Sequence, residues 1–159
     1  MSLFGDSKYQ YRETYFVLFH KANQPSPAQI EAALDELGSR YETVEVRMQD
    51  DELESMTIRS PHDFSAMDIT VVEGEEVVNM VKKLREDFRT MTLSGEDLKK
   101  LSRLKDFDCR FDIFHFEEIA DSGLGEDDFL DPGGLLLVLE KLAECCDGVT
   151  VDPQSQTLL

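Results

Sequence analysis

Asp131-Pro132-Gly133-Gly134, then Leu135-Leu136-Leu137-Val138-Leu139, then Glu140-Lys141-Leu142-Ala143-Glu144-Cys145-Cys146-Asp147-Gly148 and Val149-Thr150-Val151-Asp152, is the stretch on which the fold turns. Asp131 suits a helix cap. Pro132 suits the first helical position, where its missing N–H would have had no partner, and Gly148 suits the end. A helix leading directly into a strand follows. Five consecutive apolar residues cover more than one turn, so the start of this helix has no polar face and is expected to be enclosed by other elements. As the most hydrophobic segment it is expected to be the central helix.

Laid against itself, the chain repeats a pattern. Phe16-Val17-Leu18-Phe19-His20 matches Phe111-Asp112-Ile113-Phe114-His115, and residues 26–46 align without a gap on 131–151, with Pro27 on Pro132, Val44 on Val149 and Val46 on Val151. Each half reads as strand, helix, strand. The shared positions are also those that helix starts and half-buried strands select on physical grounds, so duplication is an expectation open to both accounts.

Between these units the signals are local. Residues 1–13 carry no period and are expected to be a loose lead-in or an edge segment. Tyr15 to His20 and Phe111 to Phe116 are aromatic runs suited to central strands. Ser26-Pro27-Ala28-Gln29 is a capping box ahead of Ile30, Ala33, Leu34 and Leu37. Thr43 to Met48 alternate as a strand with one wet face, and a turn at 49–52 leads to a second strand, making a hairpin. Residues 67–72 form another strand. Glu75 opens a helix burying Val77, Val81, Leu84 and Phe88, and Ser94 caps one with Leu98, Leu101 and Leu104 as its stripe. A short strand ends at Leu159.

The expected class is therefore α+β: a mixed or antiparallel sheet with about four helices, in a ferredoxin-like β-α-β-β organisation that the repeat would duplicate. We expect one compact domain over residues 1–159, with repeat units at 15–59 and 110–159 and a helical insert at 75–105.

Sixteen basic residues against 34 acidic ones give a net charge of −18, which argues against nucleic acid or an anionic membrane as partner. The positive charge is concentrated: residues 82–105 hold eight basic and four acidic residues. An ordinary solvated helix surface with i to i+4 ion pairs is the expected account of it. Three cysteines, two of them adjacent, match neither a disulfide framework nor a zinc spacing. No apolar run suits a signal peptide or a bilayer span, so a soluble cytoplasmic protein is expected.

Few residues suggest chemistry. His20 and His115 end the two aromatic strands, and a pseudo-twofold could bring them to one edge of the sheet. Glu117, Glu118 and Asp121 are candidates to join them in binding. No catalytic residue, metal site or cofactor is assigned. The acidic loop at 117–131 has its glycines where calcium ligands should stand, and Cys145 and Cys146 lie at a helix C-terminus, where the dipole raises a thiol pKa. The expectation is a noncatalytic protein-binding or regulatory module with an acidic surface, as a monomer or homodimer. The alternative is a metal-assisted hydrolase or acid/base enzyme using His20, His115 and the carboxylates after Phe116.

Overall fold

A computed structural model of the chain describes residues 9–38, 41–61, 64–118, 132–155 and 157–159. In chain order these form β1 (Tyr9–Phe19), α1 (Pro27–Asp35), β2 (Glu42–Gln49), β3 (Glu52–Ser60), β4 (Ser65–Glu73), α2 (Glu75–Arg89), α3 (Gly95–Arg103), β5 (Cys109–Glu118), α4 (Pro132–Cys146), β6 (Val149–Asp152) and β7 (Thr157–Leu158). The strands make one seven-stranded sheet in the order β2-β3-β4-β5-β1-β6-β7. Every neighbouring pair is antiparallel. The class is α+β.

Local chemistry explains most element boundaries. The Ser26 capping box is complete, with the Gln29 N–H donating to Ser26 Oγ at 3.2 Å and the Ser26 N–H donating to Gln29 Oε1 at 2.8 Å. Ser94 Oγ caps α3 by accepting from the Asp97 N–H at 3.2 Å. The β2–β3 hairpin turns on Asp50 and Asp51, both left-handed (φ 52° and 64°), as a two-residue turn matched to strand twist requires.

Two antiparallel steps separate β5 from β6, so these strands run parallel, joined over one sheet face by α4. Likewise β1 and β2 run parallel through α1. The two crossovers differ in reach: three strands lie between β1 and β2, but only β1 lies between β5 and β6. Helices α1 and α4 share a core with Val17, Phe19, Met56, Ile58, Met67, Ile69, Phe111 and Ile113. On the opposite face Val77 and Val81 of α2 pack with Leu18, Leu104, Phe107, Val149 and Val151. Helix layers therefore cover parts of both faces.

Four expectations change. First, β1 begins at Tyr9, because Tyr9 to Tyr11 pair with Glu118 to Phe116. A bulge at Arg12 breaks the alternation that would have announced this strand. Second, α4 is not enclosed: Leu136 and Leu137 are 48% and 40% exposed. One helix layer has an outer side whatever its sequence, and here that side is apolar. Third, Leu98 of the expected α3 stripe is exposed, and only Leu104 beyond it is fully buried.

The fourth concerns the end of α4. Asp147, not Gly148, holds the left-handed position there (φ 51°), and the Gly148 N–H closes the helix by donating to Ala143 O at 2.9 Å. Gly148 is glycine for another reason. A Cβ there would lie 2.5 Å from the Leu18 carbonyl oxygen, 2.9 Å from Cys146 Sγ and 3.2 Å from Val17 Cγ1. The expected cap, Asp131, lies outside the described residues.

Candidate functional site

The two strand-end histidines do not meet. Phe19 pairs with Cys109 and Glu13 with His115, which places His20 and His115 at opposite ends of the same strand pair, about 20 Å apart at roughly 3.3 Å per residue. His20 is exposed, and its Nδ1 accepts from the Ala22 N–H at 3.1 Å, capping a short 3-10 turn. Antiparallel pairing of β1 with β5 causes this separation, because matching ends of antiparallel strands point apart.

His115 does gather neighbours. It is 3% exposed, in register with Glu13 and Met67. Glu13 Oε1 approaches its Nδ1 at 3.4 Å, out of line for a good hydrogen bond, and no other partner for that nitrogen lies among the described residues. Glu117, two residues along the same face, pairs with Arg12 at 3.3 Å. Glu118 lies on the other face and contacts Arg59 at 3.5 Å, and Asp121 lies outside the described residues. Glu13 and Arg12 were missed because only strand register places them beside His115.

Burial holds the His115 pKa below 6.5, with Arg12 adding to the depression and Glu13 and Glu117 opposing it. The imidazole is therefore neutral in the fold at neutral pH. Between its folded pKa and 6.5 the unfolded chain binds a proton that the folded chain does not, so this group contributes stability that falls as pH falls through that window. We expect the urea midpoint to drop between neutral and mildly acidic pH, and His115→Gln to drop less. Equal drops in the two proteins would show that His115 contributes nothing to this slope.

Other polar groups act in packing. Arg110 donates from Nε to Asp112 at 2.6 Å and lies over the Phe16 ring at 4.7 Å. Burial raises the Asp112 pKa despite that pairing. Burial pushes the thiols of Cys109 and Cys146 up to about 12, so neither offers a thiolate nucleophile. Among the described residues no group of three or more His, Cys, Asp or Glu is arranged to hold a metal ion. None of their helices is long and apolar enough to cross a membrane. In residues 82–105, only Arg103 makes an ion pair among the described residues. The expected i to i+4 pairs are absent from this set.

A groove lies beside the stretch that decides the fold. Helix α4, β6 and the end of β7 enclose this groove of about 440 Å³, within the range of ligand sites. Leu136, Leu139, Ala143 and Leu159 supply apolar surface, and Glu140, Glu144 and Asp147 line the rim. Arg103 closes one end, donating from Nη2 to the Asp147 carbonyl at 2.7 Å and to its carboxylate at 2.8 Å. The Leu159 N–H donates to Thr150 O at 2.9 Å, holding Leu159 beside the groove. Lys141 is engaged by Glu36 at 2.7 Å and by Glu144 at 3.6 Å. The surplus of leucines in 135–139 was the only sequence signal for this site.

No protein-family model, curated protein or solved structure matches this chain.

Proposed function

We propose that the chain is a noncatalytic protein-binding module with an acidic surface, which receives a partner segment in the groove between α4 and the β6–β7 edge. The observation that carries this reading is the apolar outer side of α4. Leu136 enters the groove, and exposed Leu137 extends the apolar surface beyond it. An apolar patch continuing past a concave site favours a macromolecular partner over a small molecule alone. The charged rim would supply orientation. The separation of His20 from His115 leaves an acid/base alternative without its shared centre.

The test compares tagged wild-type protein with a Leu136→Glu/Leu137→Glu variant in affinity capture. Both positions are exposed, so the variant should keep the wild-type circular dichroism and melting temperature. A partner retained at high salt by the wild type and lost by the variant is the expected result. Identical recoveries would remove the reading.

Three finer readings belong with this proposal. The paired β-α-β crossovers support an extended ferredoxin-like arrangement, and the match of Pro27 with Pro132 supports a duplicated origin. Three unpaired thiols, two of them buried, accord with a cytoplasmic setting.

A further inference from the structure

We infer that the chain forms a twofold homodimer by antiparallel pairing of β2 with β2 of a second copy, centred on Val46. This goes beyond the groove, which lies at the other edge of the sheet and stays open in such a dimer.

Strand β2 is an outer strand of the sheet, and all its residues except Glu45 are exposed. It is eight residues long, whereas β7 at the other edge has two. Natural edge strands are usually protected by lysine, proline or a bulge. Here neither lysine nor proline is present; the strand carries Glu42, Glu45 and Arg47, and its pairing with β3 shifts register twice, at Val44 and between Arg47 and Met48, where Glu54 of β3 is the extra residue. Val44, Val46 and Met48 are 46%, 37% and 47% exposed. Val46 and Met48 pair with Met56 and Leu53, so they share the face of the α1 and α4 core without being covered by it.

Charge selects the occupant and the register. Glu45 and Arg47 pair with Thr57 and Ser55 on the opposite face, where the Arg47 Nε donates to Glu45 Oε1 at 2.9 Å. In a twofold antiparallel pair, registers centred on a residue keep like faces together, because directly opposed side chains share a face. Centring on Glu45 opposes two glutamates, and centring on Arg47 opposes two arginines. Centring on Val46 sets each Glu45 against Arg47 of the second copy and Val46 against Val46. The strand is thus self-complementary in one central register. The bulge at Val44 confines regular pairing to the middle of the strand, so a reversible dimer is expected. Its long-range repulsion, from −18 on each copy, is screened beyond about 8 Å at physiological salt.

Sedimentation equilibrium of the full chain at physiological ionic strength should show a concentration-dependent dimer. Arg47→Glu places like charges opposite each other twice and should weaken it about tenfold, since each cross-strand charge pair is worth up to about 1 kcal/mol. Glu45→Arg/Arg47→Glu should restore it. A wild-type chain that stays monomeric, or a double variant no better than the single, overturns the inference. Register is read separately in a Cys145→Ser background, where Cys109 and Cys146 are buried. Mild oxidation with copper phenanthroline should cross-link Val46→Cys, whose two copies lie directly opposite within disulfide reach. Met48→Cys should not cross-link, because two such residues lie four positions apart. Equal cross-linking of both variants also overturns it.

Discussion

Gly148→Ala is expected to destabilise the fold by about 3 kcal/mol, the upper part of the usual overpacking range. The added methyl would sit 2.5 Å from the backbone oxygen of Leu18, at the end of the β1–β6 pairing where β6 enters the sheet. Cys146 Sγ, at 2.9 Å, can rotate only by giving up its contact to Leu142 O at 3.1 Å. A backbone carbonyl held in a sheet ladder cannot yield cheaply, so β6 would have to move away from β1. Urea denaturation should show a lower midpoint with an unchanged slope. A midpoint within error of the wild type would mean that β6 shifts without cost. Asp147→Gly serves as a comparison, since glycine relieves the left-handed backbone of that residue and only an exposed pair with Arg103 is lost.

Phe111→Ala should cost about 3–5 kcal/mol, as large-to-small changes at fully buried aromatics do. Phe111 has no exposed surface and its ring meets that of Phe19 at 4.6 Å between centroids, tilted by 32°. It lies between Val17 of β1 and Val71 of β4 in the centre of the sheet. The cavity would open beneath the α1 and α4 layer, where neither helix can collapse onto it without leaving other contacts. Domains of this kind have total stabilities of about 5–15 kcal/mol, so the variant should unfold at a much lower urea concentration. Phe111→Leu, which keeps most of the volume, should recover more than half of the loss. If alanine and leucine behaved alike, the packing account of this residue would be wrong.

Capping residues and short-range alternation made much of the fold legible. Ser26 with Gln29 and Ser94 with Asp97 mark helix starts by hydrogen bonds within a few residues, and those bonds form, while α2 starts at Gly74 with Glu75 and Glu76 in its first turn and no side-chain cap. The site was legible only in outline. His115 could be picked out as a polar residue in an aromatic strand, but its neighbours Glu13 and Arg12 come from β1, about a hundred residues earlier. The groove was hidden for a related reason: five apolar residues in a row imply burial of all of them, and nothing local reveals that α4 has one uncovered side.

The order and type of the elements follow from contacts within a turn or a strand, which depend on residues close in the chain and so can be read from it. The sheet order, with β1 inserted between β5 and β6, depends on pairings between distant segments. That order sets the polarity of β1 against β5, and the polarity puts His20 and His115 at opposite ends. It also places α4 in an outer layer and leaves β2 at an edge. Residues 131–152 thus specify a helix feeding a strand, while their exposure, and with it the groove at Leu136, is a property of the neighbours the rest of the chain supplies.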